Sequence, residues 1–323
     1  MSLCINTTTP EGIVLAADSR QSYRNKKGMG RIGSDSATKV FRIKERVGIT
    51  VAGLAFLPED GIAKNISRFI EEFRQSIATE DLTVYEIAEK LNTFFSEKYK
   101  YKDEFEQLKK NIKADLEKQK CTDIEIKEEE GHLKFSFTDK DGVKKNGIGS
   151  IPQLQFIVAG YNSDDSHQSV MVYIPGRVDL KRDSTKKGQE YGASWIGQTD
   201  VVARIVLGFD PRIGNLPIIV GAAEKTSQEE IRKQLSGLEY VIQWGTMTLQ
   251  DGIDFSVLAI ETTAAIQRFS DGVISNPGDI PGVGGPVDVA VITPEKGFVW
   301  VAKKSLSVGN NVVNIEDIPN LAE

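Results

Sequence analysis

Short β-branched segments stand at both ends of this chain, and helical patterns stand between them. Such segments are rich in Val, Ile and Thr and are separated by Gly-containing and Pro-Glu turns, which is typical of strands. Strands at both ends with helices between them predict an α+β fold, with helices packed on one or two mainly antiparallel sheets. The predicted strands are residues 2–8, 12–17, 40–43, 47–52, 154–159, 170–174, 287–293 and 298–302, and residues 195–197 are a further candidate.

Two amphipathic helices are predicted after the first group of strands. Apolar residues recur at intervals of three and four from Ile62 to Ile77 and again from Val84 to Phe94, the pattern of half-buried helices. The second helix is predicted to continue to about Lys118. Three later helices are predicted at 200–207, 227–238 and 249–269, and the last has the strongest pattern.

Residues 101–150 are highly charged, since 23 of these 50 residues are Asp, Glu, Lys or Arg. We predict a helical extension and then a hairpin near 132–137 that turns at 139–142. Balanced charge of this density is typical of a solvated surface. The sequence therefore predicts one domain over residues 1–323 with a solvated, peripheral insertion at about 101–150; a partner-docking insertion is the alternative.

Charge and composition exclude several classes of protein. The 323 residues carry a net charge of −6, which argues against a nucleic-acid partner because phosphate binding needs a basic surface. No apolar run has the length of a membrane span, and the first residues do not form a signal segment. Two cysteines, Cys4 and Cys121, do not make a disulfide framework. We therefore expect a cytoplasmic protein with no membrane partner.

Histidine is scarce, which limits the catalytic chemistry. His132 and His167 are the two histidines, and both stand in polar stretches that predict solvated surface positions. A serine or cysteine triad needs a histidine beside the nucleophile. The cysteines and histidines also lack the CxxC or HxxxH spacing of a zinc site, and we expect no metal and no cofactor.

A hydrolase with an N-terminal nucleophile needs no histidine. If Met1 is removed, Ser2 becomes the first residue, and its free amine and hydroxyl lie at the end of the first strand. A chain-terminal amine has an unperturbed pKa of about 7.7–8.0, so it is partly neutral at cellular pH. The amine can therefore serve as the base for the hydroxyl to which it is tethered.

Five short motifs follow one another along the chain. Residues 12–20 read Gly-Ile-Val-Leu-Ala-Ala-Asp-Ser-Arg, and 38–40 read Thr-Lys-Val. Residues 51–53 read Val-Ala-Gly, 160–162 read Gly-Tyr-Asn, and 284–289 read Gly-Gly-Pro-Val-Asp-Val. In this order they resemble the second strand, the lysine-bearing strand, the oxyanion-hole turn, a central-sheet turn and the Gly-Gly segment of proteasome β subunits. The resemblance covers about residues 2–95 and 152–302.

The resemblance implies an N-terminal-nucleophile (Ntn) hydrolase with a four-layer αββα sandwich. In that family the N-terminal threonine lies sixteen residues before the site aspartate, and counting back sixteen from Asp18 gives Ser2, which keeps the hydroxyl. The resemblance implies that the Lys39 ammonium lowers the pKa of the terminal amine and holds negative charge on the reacting oxygen. Asp18 would hold Lys39, and the Gly53 N–H would stabilise the oxyanion.

Further site residues are implied by the same alignment of motifs. Asp279 corresponds to an accessory aspartate of the family, with Asp271 as a second candidate. Gln198 or Thr199 would stand where the family has an accessory serine. Gln21, Val51 and Ala55 would bind substrate, and Val51 and Ala55 would make an apolar pocket of middling size. Cys4, a rival nucleophile, is two residues too close to Asp18 and is predicted to be an inward-facing strand residue.

The expected activity is amide-bond hydrolysis by Ser2, with peptide or protein substrates. The resemblance also implies homo-oligomers, which could be rings, and would allow an ATP-driven unfoldase as a partner. Two alternatives stay open. One is a stand-alone amidase that acts on a small acylated metabolite with the same residues, and the other is a non-catalytic, proteasome-like structural subunit.

Overall fold

Two five-stranded antiparallel sheets make the centre of the fold. The computed structural model describes residues 2–25, 27–129, 131–273, 276–278, 280–308 and 311–313. Its strands are β1 (Leu3–Thr9), β2 (Gly12–Ala17), β3 (Gln21–Arg24), β4 (Gly30–Ser34), β5 (Val40–Lys44), β6 (Val47–Gly53), β7 (Phe56–Glu59), β8 (Ile62–Asn65), β9 (Thr122–Glu129), β10 (His132–Thr138), β11 (Lys144–Gly149), β12 (Leu154–Tyr161), β13 (His167–Ile174), β14 (Val178–Asp183), β15 (Gly192–Gly197), β16 (Gly272–Val273), β17 (Asn276–Pro277), β18 (Asp288–Thr293), β19 (Gly297–Ala302), β20 (Leu306–Val308) and β21 (Asn311–Val313). Its α-helices are α1 (Ile66–Ser76), α2 (Val84–Tyr99), α3 (Tyr101–Lys118), α4 (Asp200–Leu207), α5 (Pro217–Lys225), α6 (Gln228–Ser236) and α7 (Leu249–Phe269).

The first sheet has the order β15-β1-β2-β18-β19 and the second has the order β14-β13-β12-β6-β5. All of these neighbours pair antiparallel, as the α+β prediction requires. β1 lies between β15 and β2, with Leu3 opposite Gly197 and Cys4 opposite Ala17. The first residues of the chain therefore enter the sheet between two other strands rather than at its edge.

Alternate residues of each strand supply different cores, because side chains of a strand point to opposite faces. Cys4 and Leu15 of the first sheet and Ala52 and Ile157 of the second share one buried cluster, which lies between the sheets. On its other face the first sheet packs against α4 and α7, and the second sheet packs against α1 and α2. Each sheet is therefore buried on both faces, as its near-continuous apolar strands require.

The predicted helices are present, with two changes of boundary. α7 spans the predicted residues, and a capping box at Thr248 begins it. α1 begins at Ile66, where the Asn65 side chain accepts the Ser67 N–H, so Ile62 belongs to a strand and is exposed. The predicted extension to Lys118 is a separate helix, α3, because Lys100 adopts a left-handed conformation between α2 and α3.

The segment 101–150 differs from its prediction in two respects. Its β structure is a three-stranded sheet, β11-β10-β9, where the sequence predicts a hairpin. Residues 122–129 alternate polar and apolar side chains only weakly, so their pattern does not indicate a strand. The segment is also less peripheral than its charge indicates. Phe105 and Leu133 are fully buried in the same core as α2 and the second sheet, and Leu108, Ile112 and Ile126 pack against that core.

The prediction of two solvated histidines is wrong for His167. This residue is buried in β13, and its Nε2 lies 2.8 Å from the Glu190 carbonyl oxygen. Two of the polar neighbours that indicate exposure, Asp165 and Ser166, belong to the turn before the strand, while Gln168 follows His167 within it. His132 is partly exposed at the start of β10.

Candidate functional site

The Asp18 carboxylate lies at the centre of a buried polar cluster where β2 ends. Its Oδ1 accepts the Leu3 backbone N–H at 3.0 Å, and its Oδ2 accepts the Arg20 and Gly284 N–H groups at 3.1 and 3.0 Å. The Asp18 side chain is fully buried. Burial of a carboxylate is costly unless it is paired and hydrogen-bonded, and here backbone donors come from three different parts of the chain. Asp18 therefore joins the start of β1, the turn after β2 and the glycine-rich segment before β18.

Lys39 is the charged partner of Asp18. Its Nζ lies 2.7 Å from Asp18 Oδ1 and 2.5 Å from the Arg20 carbonyl oxygen. The lysine side chain is only 7% exposed, so this is a buried ion pair. Because an ammonium has three N–H donors, these two contacts use two of them. The pair brings together residues that are 21 positions apart in the sequence, as the predicted site requires.

Ser2 lies beside this pair and is held by the backbone around it. Its carbonyl oxygen accepts the Gln198 N–H at 2.7 Å, and the next residue, Leu3, donates to Asp18. Ser2 is 5% exposed and lines the same cleft as Lys39. One oxygen of Asp18 thus contacts both the residue after Ser2 and the Lys39 ammonium.

The cleft at Ser2 and Lys39 also includes the predicted substrate residues. Gln21, Val51 and Ala55 line it together with Gly53, and its volume is about 30 Å³. The residues predicted to bind substrate therefore share one cleft with Ser2 and Lys39.

Gly53 ends β6 at the wall of this cleft. Its φ of +98° lies in the region that favours glycine, and a Cβ added there would fall 1.9 Å from the Gln153 carbonyl oxygen. Both constraints require glycine at this position. The exposed backbone of Gly53 is accordingly open to a molecule in the cleft, as the oxyanion prediction needs.

The structure places the predicted accessory residues differently. Asp279 lies outside the described residues. Asp271 is exposed and lines a second cleft of about 820 Å³ together with Gln198 and Thr199. Gln198 contacts Ser2 through its backbone N–H, so the turn predicted to carry an accessory side chain does adjoin Ser2.

Three contacts of the site were not predicted from the sequence. The Gly284 N–H binds Asp18, the Arg20 guanidinium pairs with Asp35 at 2.7 Å, and Gln267 bonds the Gln198 side chain at 2.5 Å. Arg20, by hydrogen bonding and charge attraction, and Lys39, by charge attraction, hold the pKa of Asp35 below its usual range. The Gly-Gly pair was a usable signal for the first contact, but nothing in the local pattern of α7 marks Gln267.

Cys4 is an inward-facing strand residue, as predicted. It is fully buried between the sheets, and its Sγ lies 3.2 Å from the Val51 carbonyl oxygen. Burial raises the pKa of the Cys4 thiol to about 12. Since the thiolate is the reactive form of cysteine, this residue is an inert core side chain.

The two histidines, His132 and His167, lie outside the residues that line this cleft. Over the ranges that the structure describes, no group of three or more His, Cys, Asp or Glu side chains could hold a metal ion.

In the same part of the chain, no helix combines the length and the apolar character that crossing a membrane requires.

Comparison with known proteins adds no family assignment to the geometry of this site. A scan against protein-family models finds no match to this chain, and a search of curated proteins finds none either.

Proposed function

We propose that this chain is an Ntn amide hydrolase whose nucleophile is Ser2 after removal of Met1. The observation that carries the proposal is the shared Asp18 Oδ1, which accepts both the Leu3 N–H and the Lys39 ammonium. This contact holds the chain start and a buried cation at one carboxylate. A serine with a free amine beside such a cation has a nucleophile, a base and a charge stabiliser within one small site.

In the proposed reaction the Ser2 amine takes the hydroxyl proton as the oxygen attacks the substrate carbonyl. An Oγ–C bond forms, and the carbonyl electron pair moves to the oxygen as an oxyanion. The Gly53 N–H would stabilise the oxyanion of the former carbonyl. The third N–H of Lys39 would stabilise the negative charge that develops on Ser2 Oγ. The C–N bond then breaks as the terminal ammonium returns its proton to the leaving amine. Water attacks the acyl-enzyme in a second, equivalent step and frees Ser2.

The architecture supports the same proposal. Two antiparallel sheets that share a core, with helices on their outer faces, are compatible with the αββα sandwich expected of Ntn hydrolases, and the proposed nucleophile immediately precedes an internal strand. The cytoplasmic location, peptide substrates, ring-forming self-assembly and an ATP-driven unfoldase as partner belong to this proposal as expectations from the proteasome resemblance.

A stand-alone amidase that acts on a small acylated metabolite is the second candidate, and the cleft beside Val51 and Ala55 would bind its acyl group. The two candidates use the same residues. Native mass separates them: a monomer or dimer without fluorogenic-peptide cleavage indicates the amidase, and a ring with peptide cleavage indicates the peptidase.

The decisive experiment is intact-mass and N-terminal analysis before and after treatment with a β-lactone or a peptide epoxyketone. We expect a chain that begins at Ser2 and gains one adduct on that residue. Ser2→Ala should lose the adduct, while Ser36→Ala, at an exposed serine of a nearby loop, should keep it. Retention of Met1 or an unmodified wild-type protein contradicts hydrolysis and favours a non-catalytic structural subunit.

A further inference from the structure

One glutamine near the end of α7 connects two loops that both contact the candidate site. Gln267 Nε2 donates to Gln198 Oε1 at 2.5 Å, and Gln267 Oε1 accepts the Gly282 and Val283 backbone N–H groups, each at 2.9 Å. A glutamine amide offers two donors and two acceptor lone pairs. Three of these four positions are used, so the side chain is held in one orientation by two separate segments of the chain.

Each of these segments touches one member of the site by its backbone. The Gln198 N–H donates to the Ser2 carbonyl oxygen at 2.7 Å. The segment of Gly282 and Val283 continues into Gly284, whose N–H donates to Asp18 Oδ2 at 3.0 Å. Gln267 therefore bonds directly to Gln198, whose backbone binds Ser2. It also bonds to Val283, the neighbour of Gly284, whose backbone binds Asp18.

We propose that Gln267 is a positioning residue, which fixes the distance between Ser2 and the Asp18–Lys39 pair. This inference rests on the proposed function. Ser2 and Lys39 stand just before different strands, β1 and β5, and the Leu3 N–H already joins the start of β1 to Asp18. Gln267 adds a side-chain link between the two loops whose backbones hold Ser2 and Asp18. Without the amide bridge, the Gln198 turn and the Gly282–Gly284 segment can shift independently. A shift of about 1 Å near a reacting atom can lower a rate by about 100-fold.

The test compares the inactivation kinetics of the full chain and its variants with a peptide epoxyketone. Q267M keeps the length of the side chain and removes all three hydrogen bonds. We expect the maximal rate of adduct formation at Ser2 to fall by about tenfold to 100-fold, with the half-saturating probe concentration changed by less than about twofold. Q250M is the matched control, because Gln250 is an exposed glutamine of the same helix that bonds only within it.

Q198M tests the same contact from the other side and keeps the backbone N–H that binds Ser2. If the two glutamines act together, the maximal rate of adduct formation in the double variant should be about that of the slower single variant. If their effects are independent, the two fold-changes in rate should multiply. A Q267M rate equal to that of Q250M overturns the inference, and so does a loss fully explained by a smaller folded fraction or by weaker probe binding. A wild-type protein that forms no Ser2 adduct overturns the proposed function as well, so the two failures are distinguishable.

Discussion

Replacing Asp18 by asparagine tests the centre of the site, because one carboxylate there accepts four hydrogen bonds. Asparagine keeps one oxygen and puts an NH₂ group in place of the other. If the remaining oxygen stays with Leu3 and Lys39, the NH₂ group faces the Arg20 and Gly284 N–H donors. Two hydrogen bonds to a charged acceptor are then lost, each worth about 1.5–3 kcal/mol.

The charge of Lys39 adds a second cost in the Asp18→Asn variant. Its ammonium stays buried with only neutral oxygens as acceptors, and removing one partner of a buried ion pair typically costs about 3–5 kcal/mol. The two costs share the same groups and do not add. We therefore expect the free energy of unfolding to fall by at least about 3 kcal/mol, the lower bound from either argument.

Urea unfolding followed by tryptophan fluorescence measures this change, since the chain has three tryptophans. The matched control is Asp35→Asn, which breaks the ion pair to Arg20 at a carboxylate that is 45% exposed. Exposed pairs contribute about 0–1 kcal/mol, so the control should lose no more than that. A loss in Asp18→Asn within about 1 kcal/mol of the control would refute the reasoning that Asp18 organises a buried site.

Two further predictions concern Gly53 and Cys4. Gly53→Ala should lower the free energy of unfolding by more than about 2 kcal/mol, because its Cβ would overlap the Gln153 carbonyl oxygen. Gly61→Ala, at a similar positive φ with open space around it, should cost only about 1–2 kcal/mol, and equal losses in the two melting curves would contradict the overlap. Iodoacetamide should leave Cys4 unlabelled in the native protein at pH 9, and labelling found there by mass spectrometry would contradict its burial. The raised pKa of this thiol favours the folded state below pH 9, and that contribution is lost as the pH rises from 9.0 to about 12, because the unfolded thiol ionises first.

The sequence predicted the elements whose pattern is local. β1, β2, β6 and α7 each carry a complete strand or helix signal of their own, and their bounds agree with the structure to within one or two residues. The Asp18–Lys39 contact was predicted through the resemblance to a family rather than through periodicity. Its geometry follows from the pairing of β1 with β2 and from the position of Lys39 immediately before β5.

Other features depend on contacts between distant segments, which no local pattern encodes. Gln267 was missed because its partners lie 69 and 15 residues away, and because a glutamine on a helix is ordinarily a solvated residue. The burial of Phe105 and Leu133 was missed because charged neighbours surround them in the sequence. Two apolar residues in a charged segment are enough to reach a core when the helix and the sheet that carry them fold back onto it.

The shared core of the charged segment has a consequence for shortening this protein. Phe105 and Leu133 pack in the same cluster as Tyr99 of α2, so the segment covers apolar surface of the helix and of the second sheet. Deletion of residues 101–150 would expose that surface to water, which costs free energy and favours association through the uncovered patch. A shortened variant therefore needs polar replacements on the inner face of α2 as well as a new loop.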